Sequence, residues 1–461
     1  MNDEHLKFVS EFISPTYLHQ ATCSRKSISN DITHLLTQRR IPDEGWTVEA
    51  IELFLREISL WDSNNFNQKS AMGEREGRCF STLVSRRHWG MIHGIGRSGD
   101  VNAEQPKAAG SSFVLILTRI LVRDLIKSVF GISNLPKQLI VLPVATGMSL
   151  MLGMTAVSQE HGDARRKHVL WSRIDQKSCI KAVNSDPNLT VHVIEQCAEG
   201  DGLVTDISRI SSLVAELDPS TIHSIVLTTS VFAPRTPDDV ISVSKLCKEN
   251  NIPLIVNNAY GLQCSKCCQL INEALRVGRV DLVVQSTDKN LGVPVGGSIL
   301  FGRIAERVNK IYPGRASLSP ILDVLITILE LGKQRLISLL KDRKENMQYM
   351  LSELRKIPQV KVLNIPKNQI SVAMTTEPIE ILDNMLGSEL FLRNVSGARV
   401  FVRTDKTKTI DDGIILQNFG CHSNTPVVDR YINVACAIGV TKPEIDAFIN
   451  RFRALLNKRS S

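Results

Sequence analysis

The feature of this sequence that most restricts its fold is the alternation of short apolar segments with amphipathic ones between residues 138 and 303. Short runs rich in Val, Ile and Leu are typical of strands buried in a parallel sheet. The intervening segments, such as residues 240–249, have helical periodicity. The pattern predicts an α/β domain whose mostly parallel sheet carries helices on both faces. The predicted strands are residues 138–143, 168–172, 191–194, 224–228, 253–257, 282–285 and 298–301.

Two regions flank this α/β domain, which we take as residues 71–318. Residues 1–70 have no strand pattern and predict a helical N-terminal extension. Pro320 begins a predicted long helix, because proline is favoured in the first turn. Strand and helix patterns alternate after that helix, so residues 319–461 are predicted to form a smaller α+β domain.

No segment predicts a membrane span. The most apolar candidate, residues 113–130, carries Arg119, Arg123 and Lys127 at steps of four, which places the charges on one stripe of a buried helix. Charged residues interrupt the first ten positions, so no secretory signal is expected. With ten cysteines and no such signal, we expect reduced thiols and a cytoplasmic location.

Composition leaves two questions open. The net charge of +8 and the pI near 8.9 favour a polyanionic partner, although an ordinary basic enzyme fits the charge nearly as well. Cys264, Cys267 and Cys268 form a cluster, but structural zinc usually needs four ligands and no second pair lies at suitable spacing. We therefore expect reduced thiols on a helix and no metal.

The most informative segment is residues 281–297, where an apolar strand is followed by Ser286, Thr287 and Lys289 and then by a Gly-Gly pair. Ligands of open α/β sheets bind at the carboxyl ends of strands. A lysine at that position can be partly desolvated, which favours its neutral, nucleophilic amine. The pattern predicts that Lys289 forms a Schiff base with pyridoxal phosphate, which supplies a carbonyl and an electron sink. A surface lysine in a loop is the alternative.

Two further strand ends favour the same cofactor. Another apolar strand ends at Asn257 and Asn258, and one of these two residues offers a polar partner for the pyridine nitrogen. Thr146 lies where another strand gives way to a helix, whose first N–H groups are expected to bind the cofactor phosphate. Each signal is weak alone, but together the three strand ends favour pyridoxal phosphate over any other cofactor.

A glycine-rich loop, GIGRSG at residues 94–99, has the spacing of a dinucleotide-binding motif. No convincing strand precedes it and the residues after it oppose an immediate helix, so we reject that interpretation. A phosphate group fits better, because Arg97, Ser98 and Gln105 would bind it together with backbone N–H groups. Arg315 lies in another glycine-containing turn, and the set indicates a phosphorylated substrate.

Ten motifs in the same order resemble those of O-phosphoseryl-tRNA(Sec) selenium transferases, the selenocysteine synthases of archaea and eukaryotes. They are GEREGR, HGIGRSGD, QPKAAGSS, ATGMSL, RIDQKS, NNAYG, QSTDKN, PVGG, YPGRAS and VSGAR. The resemblance implies a homotetrameric fold-type I pyridoxal-phosphate enzyme with active sites between subunits. It also implies conversion of O-phosphoseryl-tRNA(Sec) to selenocysteinyl-tRNA(Sec) with selenophosphate, by β-elimination of phosphate and addition of selenium.

The resemblance also implies roles for residues at matching motif positions. The cofactor-binding residues would be Lys289, which is also the catalytic residue, with Arg75, Asn257, Thr146 and Gln176. The substrate phosphate would be bound by Arg97, Ser98, Gln105 and Arg315. The tRNA would contact the N-terminal extension and the side chains of Arg276, Arg399, Lys26 and Arg40.

Glu74 is predicted to act as a substrate filter. Its carboxylate would repel the α-carboxylate of free phosphoserine, which the tRNA ester lacks. The alternative is that Glu74 merely pairs with a neighbouring arginine.

Other functions of the same fold remain open from the residues alone. One is a synthase that converts phosphoseryl-tRNA to cysteinyl-tRNA, and another is a cysteine desulfurase, for which Cys421 and Cys264 are candidate reactive thiols. A third is a tRNA-binding homologue without activity. The phosphate-binding arginines have no use in a desulfurase, and the intact Lys289 argues against an inactive homologue.

Overall fold

The computed structural model describes residues 3–162, 165–410 and 413–460. The described residues before position 60 are mostly helical, and a mostly irregular segment with one short helix then leads to helix α5. Thr47 caps α3 by accepting a hydrogen bond from the N–H of Ala50, and the apolar face of α3 packs against α5. The helices are α1 (Asp3–Val9), α2 (Pro15–Gln38), α3 (Val48–Ser59), α4 (Thr82–Arg87) and α5 (Ala109–Ser128).

A seven-stranded sheet forms the centre of the molecule, in the order β1-β9-β8-β7-β6-β2-β3. Strand β9 is antiparallel to both of its neighbours, and the other pairs are parallel. The seven predicted strands are all present, and β4 and β5 form a separate hairpin. The strands are β1 (Leu139–Leu142), β2 (His168–Ser172), β3 (Thr190–Ile194), β4 (Gln196–Glu199), β5 (Gly202–Thr205), β6 (Ile222–Thr228), β7 (Leu254–Asn257), β8 (Leu282–Ser286) and β9 (Ser298–Phe301).

Helices connect the strands of this sheet, and α9 has the predicted bounds. Asp239 caps α9 through the N–H of Ser242. The mostly parallel sheet between helices confirms the predicted α/β class. The helices are α6 (Thr146–His161), α7 (Lys177–Val183), α8 (Ile207–Glu216), α9 (Val240–Glu249), α10 (Ser265–Val277), α11 (Thr287–Leu291) and α12 (Ala305–Ile311).

The C-terminal part begins with α13 (Ser319–Leu354), which is the predicted long helix but is interrupted at Gly332. An antiparallel sheet of order β10-β11-β15-β12 follows, packed against α13 and the last helix. The remaining elements are β10 (Val360–Val362), β11 (Ser371–Thr376), α14 (Leu386–Leu392), β12 (Arg399–Val402), β13 (Thr407–Ile410), β14 (Ile414–Gln417), β15 (Arg430–Ala435) and α15 (Lys442–Ser460).

Two large apolar clusters hold these parts together. The larger surrounds the seven-stranded sheet and includes α3, the first half of α13 and the β13–β14 hairpin. The smaller joins the second half of α13 to the C-terminal sheet and α15. The hairpin thus brings the segment after Gln417 back to the central sheet, which matters for the site.

Helix α5 is the predicted buried helix. Two arginines of its charged stripe donate hydrogen bonds to backbone carbonyl groups. Arg119 donates to the carbonyl of Leu139 at 3.2 Å and Arg123 to that of Pro136 at 2.7 Å. Within the described part of the chain, no helix combines the length and the apolar character needed to cross a bilayer.

Candidate active site

A cavity of about 440 Å³ lies where the carboxyl ends of the central strands meet the C-terminal domain. Lys289, Asn257, Thr146 and Gln176 all line it. Thr146 follows β1, Asn257 ends β7, and Lys289 lies in the short helix after β8. The sheet therefore brings together four of the five residues predicted to bind the cofactor.

Lys289 is held by its neighbours rather than buried. Its ammonium group lies 3.0 Å from the carboxylate of Asp288 and 3.3 Å from the hydroxyl of Ser286. The side chain is 46% exposed, so the partial desolvation expected from its position at a strand end is not found in the single chain. The side chain of Gln263 fixes the backbone here by donating to the carbonyl of Lys289 at 3.0 Å.

Asn257 is oriented by two hydrogen bonds. Its amide oxygen accepts from the N–H of Ala259 at 3.2 Å, and its amide nitrogen donates to the sulfur of Cys179 at 3.2 Å. Burial raises the pKa of the Cys179 thiol to about 11, so this sulfur stays neutral. The amide group has one further N–H, which it can donate to a ring nitrogen in the cavity.

Several buried polar atoms in the cavity wall have no hydrogen-bond partner, which indicates whether the cavity suits a polar cofactor. The hydroxyl groups of Thr146, Ser230 and Tyr260 are buried and make no hydrogen bond to the described residues. Buried polar groups in native proteins are normally paired. Helix α6 begins at Thr146 without a side-chain cap, which leaves its first N–H groups available to a phosphate. The residues present therefore fit a phosphorylated polar ligand such as pyridoxal phosphate.

The C-terminal domain also contributes to the cavity lining, and its residues there include Arg399 and His422. The guanidinium carbon of Arg399 lies 5.5 Å from the ring centre of Phe232. His422 is held by Asp175, which is itself paired with Arg173 at 2.8 Å. A tRNA contact was predicted for Arg399, and this position puts that side chain at the cavity itself.

The residues predicted to bind the substrate phosphate form a second cluster. The loop that carries Arg97 and Ser98 pairs with the 312–317 turn through two backbone hydrogen bonds between Ile95 and Ala316, each 3.0 Å long. Gln105 donates to the carbonyl of Gly96 at 3.4 Å. Arg315 lies in the same turn as Ala316, so the four predicted residues share one region. None of the four lines the 440 Å³ cavity of the same chain.

The GEREGR segment lies beside this second cluster. Glu76 pairs with Lys107 at 2.5 Å, and this contact holds the pKa of the Glu76 carboxyl below its usual range. Glu74 and Arg75 are exposed, and Arg75 does not line the cavity of its own chain. Glu74 makes no ion pair with any described residue, so the alternative of pairing with a neighbouring arginine is not seen.

Comparison with known proteins gives the family. The profile of the family described as "O-phosphoseryl-tRNA(Sec) selenium transferase, SepSecS" matches residues 61–457. A protein of that name from Dictyostelium discoideum is 43% identical, over 100% of both chains. The chain belongs to the O-phosphoseryl-tRNA(Sec) selenium transferase family. This confirms the resemblance drawn from the motifs.

Further relatives agree with this membership. The Methanopyrus kandleri member is 34% identical, with 92% of this chain and 94% of the relative covered. A crystal structure of an archaeal O-phosphoseryl-tRNA(Sec) selenium transferase superposes with a TM-score of 0.84 at 28% identity, covering 96% of this chain and 98% of that one. A tryptophan decarboxylase from Catharanthus roseus, at 13% identity and a TM-score of 0.58, shares the fold alone.

The other residues to which the family resemblance gives tRNA contacts lie on the surface. Lys26 in α2 and Arg40 after it are exposed. Arg276 is exposed at the end of α10, where it pairs with Glu273. These three positions are open to a macromolecular partner, and their contact with tRNA stays a prediction.

The cysteine cluster is buried in this family member. Cys264, Cys267 and Cys268 are each at most 2% exposed, and all ten cysteines are free. Within residues 3–162, 165–410 and 413–460 there is no group of three His, Cys, Asp or Glu side chains that could hold a metal ion.

Sequence reasoning missed several residues of the site. Ser230, Phe232 and His422 line the cavity but follow no recognisable motif. Gln263, which fixes the lysine backbone, also accepts a hydrogen bond from the N–H of Ile438 at 2.7 Å and so links the two walls. The RIDQKS motif was a usable signal for Asp175, because a buried carboxylate between polar residues needs partners.

Proposed function

We propose that this chain converts O-phosphoseryl-tRNA(Sec) to selenocysteinyl-tRNA(Sec) with selenophosphate, by pyridoxal-phosphate-dependent β-elimination of phosphate and addition of selenium. The observation that carries the proposal is the convergence of Lys289, Asn257 and the start of α6 on one cavity. Membership of the O-phosphoseryl-tRNA(Sec) selenium transferase family supports the same substrate.

Each cavity residue has a role in this proposal. Lys289 holds the cofactor through its amine, Asn257 donates to the pyridine nitrogen, and Thr146 with the start of α6 binds the phosphate. Gln176 completes the wall from the segment after β2. When bound, pyridoxal phosphate supplies an electron sink next to the α-carbon of the substrate. Once the amine of the substrate has replaced it on the cofactor, the amine of Lys289 would be free to remove the α-proton.

The proposed site is completed by a second subunit. The cluster of Arg97, Ser98, Gln105 and Arg315 does not line the cavity of its own chain, although it has the guanidinium and hydroxyl groups that a phosphate needs. We propose that the partner's cluster faces this cavity and stabilises the departing phosphate, and that the partner's Arg75 contacts the cofactor there. Such a shared site fits the homotetramer implied by the family resemblance.

The alternatives fit less well. A cysteine desulfurase needs an accessible cysteine, but Cys421 and Cys264 are 6% and 1% exposed. Burial raises the pKa of Cys421 to about 11, which disfavours its thiolate. A cysteinyl-tRNA-forming synthase resembles this chain in fold alone, at 15% identity and a TM-score of 0.53. The cytoplasmic location stays a prediction.

The test compares three proteins with phosphoseryl-tRNA(Sec) and selenophosphate as substrates. We expect Lys289→Ala to lose phosphate release and borohydride-fixed cofactor, whereas Lys310→Ala, which removes an exposed lysine on α12, stays at the wild-type level. Phosphate release that survives in Lys289→Ala would contradict the proposed role of the lysine. A wild-type protein that binds no pyridoxal phosphate would contradict the proposed function.

A further inference from the structure

His422 lines the cavity from the segment after β14, and no role has yet been given to it. It follows the β13–β14 hairpin and is only 6% exposed. Its φ of 61° is in the left-handed region, which is uncommon for a residue with a Cβ. A strained backbone at a cavity wall is typical of a functional position.

Asp175 holds His422 by two hydrogen bonds, one to the imidazole ring and one from the backbone. The backbone N–H of Asp175 donates to Nδ1 at 3.0 Å, and the backbone N–H of His422 donates to the Asp175 carboxylate at 2.9 Å. The same carboxylate accepts from the N–H of Gly420 at 2.6 Å and pairs with Arg173, whose side chain is fully buried. The ring is therefore held in one orientation.

These contacts also fix which nitrogen carries the proton. A backbone N–H can only donate, so Nδ1 accepts and the neutral ring has its proton on Nε2. Burial is the largest cause that lowers the pKa of His422 to about 4; the charges of Arg235, Arg173 and Arg399 lower it further, and Asp175 opposes them. Near neutral pH the side chain is thus an uncharged donor.

The Nε2–H group is available to a bound molecule. No group in residues 3–162, 165–410 or 413–460 accepts a hydrogen bond from it. With Nδ1 turned to Asp175, Nε2–H is the polar group that the ring can present to the cavity. The cofactor is proposed to be held by Lys289, Asn257 and the start of α6, which belong to other segments of the lining, so the Nε2–H group is left for the substrate that shares the cavity.

We propose that His422 orients the substrate by donating a hydrogen bond from Nε2 to the ester carbonyl oxygen of the aminoacyl group. This inference rests on the proposed function. A neutral donor matches a neutral carbonyl, whereas the doubly charged phosphate matches the guanidinium cluster of Arg97 and Arg315. A donor on this carbonyl also stabilises the negative charge that develops when the adjacent α-proton is removed.

The experiment uses the enzyme loaded with pyridoxal phosphate and compares His422→Phe with His422→Gln, whose amide retains an N–H donor. We expect His422→Phe to lower kcat/KM for phosphoseryl-tRNA(Sec) by about tenfold to a hundredfold. His422→Gln should keep most of the activity. Exchange of the substrate α-hydrogen with D2O should slow in proportion, while cofactor affinity and absorption stay unchanged in both variants.

His192→Phe serves as the matched control, because His192 lies on the edge strand β3 and bonds the ring of His168 at 2.9 Å, away from the cavity. Equal activity of His422→Phe and the wild type would overturn the inference. So would a loss of cofactor affinity that parallels the loss of activity, or a His422→Gln variant as slow as His422→Phe. If the wild type itself fails to turn over, the proposed function has failed instead.

Discussion

At the scale of single residues, the two parts of the proposed site offer different sets of donors. Arg97 and Arg315 lie together in the loop cluster, whereas the cavity wall presents amide, hydroxyl and imidazole groups beside Lys289 and the single guanidinium of Arg399. A phosphate dianion is bound most strongly by guanidinium groups. This division assigns phosphate release to the cluster and orientation of the aminoacyl group to the cavity.

Arg315 gives the sharpest test of that assignment. Replacing it with alanine should lower kcat/KM for phosphoseryl-tRNA(Sec) by about a hundredfold, because one charged donor to the leaving group is lost. Arg209→Ala is the control, since Arg209 is exposed on α8 and pairs only with Glu216. Steady-state kinetics measure kcat/KM for both variants. Equal losses of kcat/KM would show that the phosphate pocket is misplaced.

Glu74 leads to a prediction about specificity. Its carboxylate is exposed and makes no ion pair with a described residue, so it is free to repel another anion. We expect Glu74→Ala to let free phosphoserine inhibit turnover of phosphoseryl-tRNA(Sec), at concentrations that leave the wild type unaffected. Inhibition constants for free phosphoserine measure this, and an unchanged constant would remove the filter role.

Residues at strand ends could be predicted from the sequence, whereas those from distant loops could not. Asn257 and Lys289 follow apolar runs, and parallel strands bring their carboxyl ends to one edge. His422 reaches the cavity because the β13–β14 hairpin packs on the central core, a contact between segments far apart in the sequence. The exposure of Lys289 also differs from expectation, since 46% of its side chain is exposed although it pairs with Asp288.

At the scale of elements, the central strands were predictable because buried strands are short, apolar and bounded by polar residues. The direction of β9 was not predictable, since its sequence is as apolar as those of the strands that pair in parallel. The break in α13 was also missed. Its sequence is helical on both sides of Gly332, and only contacts with the N-terminal extension explain the break.

The break in α13 joins the N-terminal extension to the main domain. Gly332 has a φ of 61°, which releases the next backbone N–H groups from the helix. The N–H groups of Lys333 and Gln334 donate instead to the carbonyls of Pro42 and Asp43, at 2.8 and 3.0 Å. A Cβ at Gly332 would lie 2.5 Å from the backbone nitrogen of Gly45.

We therefore expect Gly332→Ala to destabilise the protein by about 3 kcal/mol, from left-handed strain together with a backbone clash. Gly131→Ala is the matched control, because Gly131 has a φ of 76° and open space at the Cβ position. It should cost only about 1 kcal/mol of left-handed strain. Thermal unfolding of both variants measures the difference, and equal shifts would show that the contact with Gly45 does not matter.

At the scale of the whole molecule, the arginines predicted to bind the substrate phosphate do not line the 440 Å³ cavity of their own chain. Large apolar side chains in the segment that carries Arg75 are more than half exposed in the single chain. Large exposed apolar groups in one segment are typical of an interface. They are Phe66, Met72, Phe80 and Leu83.

A shared site predicts that two inactive variants restore activity to each other. Lys289→Ala keeps the arginine cluster and Arg315→Ala keeps the lysine, so a mixed dimer has one site with both groups intact. If the twofold interface pairs one chain's cavity with the other chain's cluster, equal mixing should restore about a quarter of the wild-type sites. The measurement is phosphate release after the variants are unfolded and refolded together, with separately refolded samples as the control.

A control mixture shows whether recovered activity comes from a site shared between two subunits. Lys289→Ala mixed with a second cavity variant, Asn257→Ala, should restore nothing, because both changes lie in the same wall and every mixed site retains one of them. Recovery in that mixture as well would show that subunit exchange alone raises activity. Absence of recovery with Arg315→Ala, in samples whose mixed assembly is verified by mass, would show that cavity and cluster act within one chain.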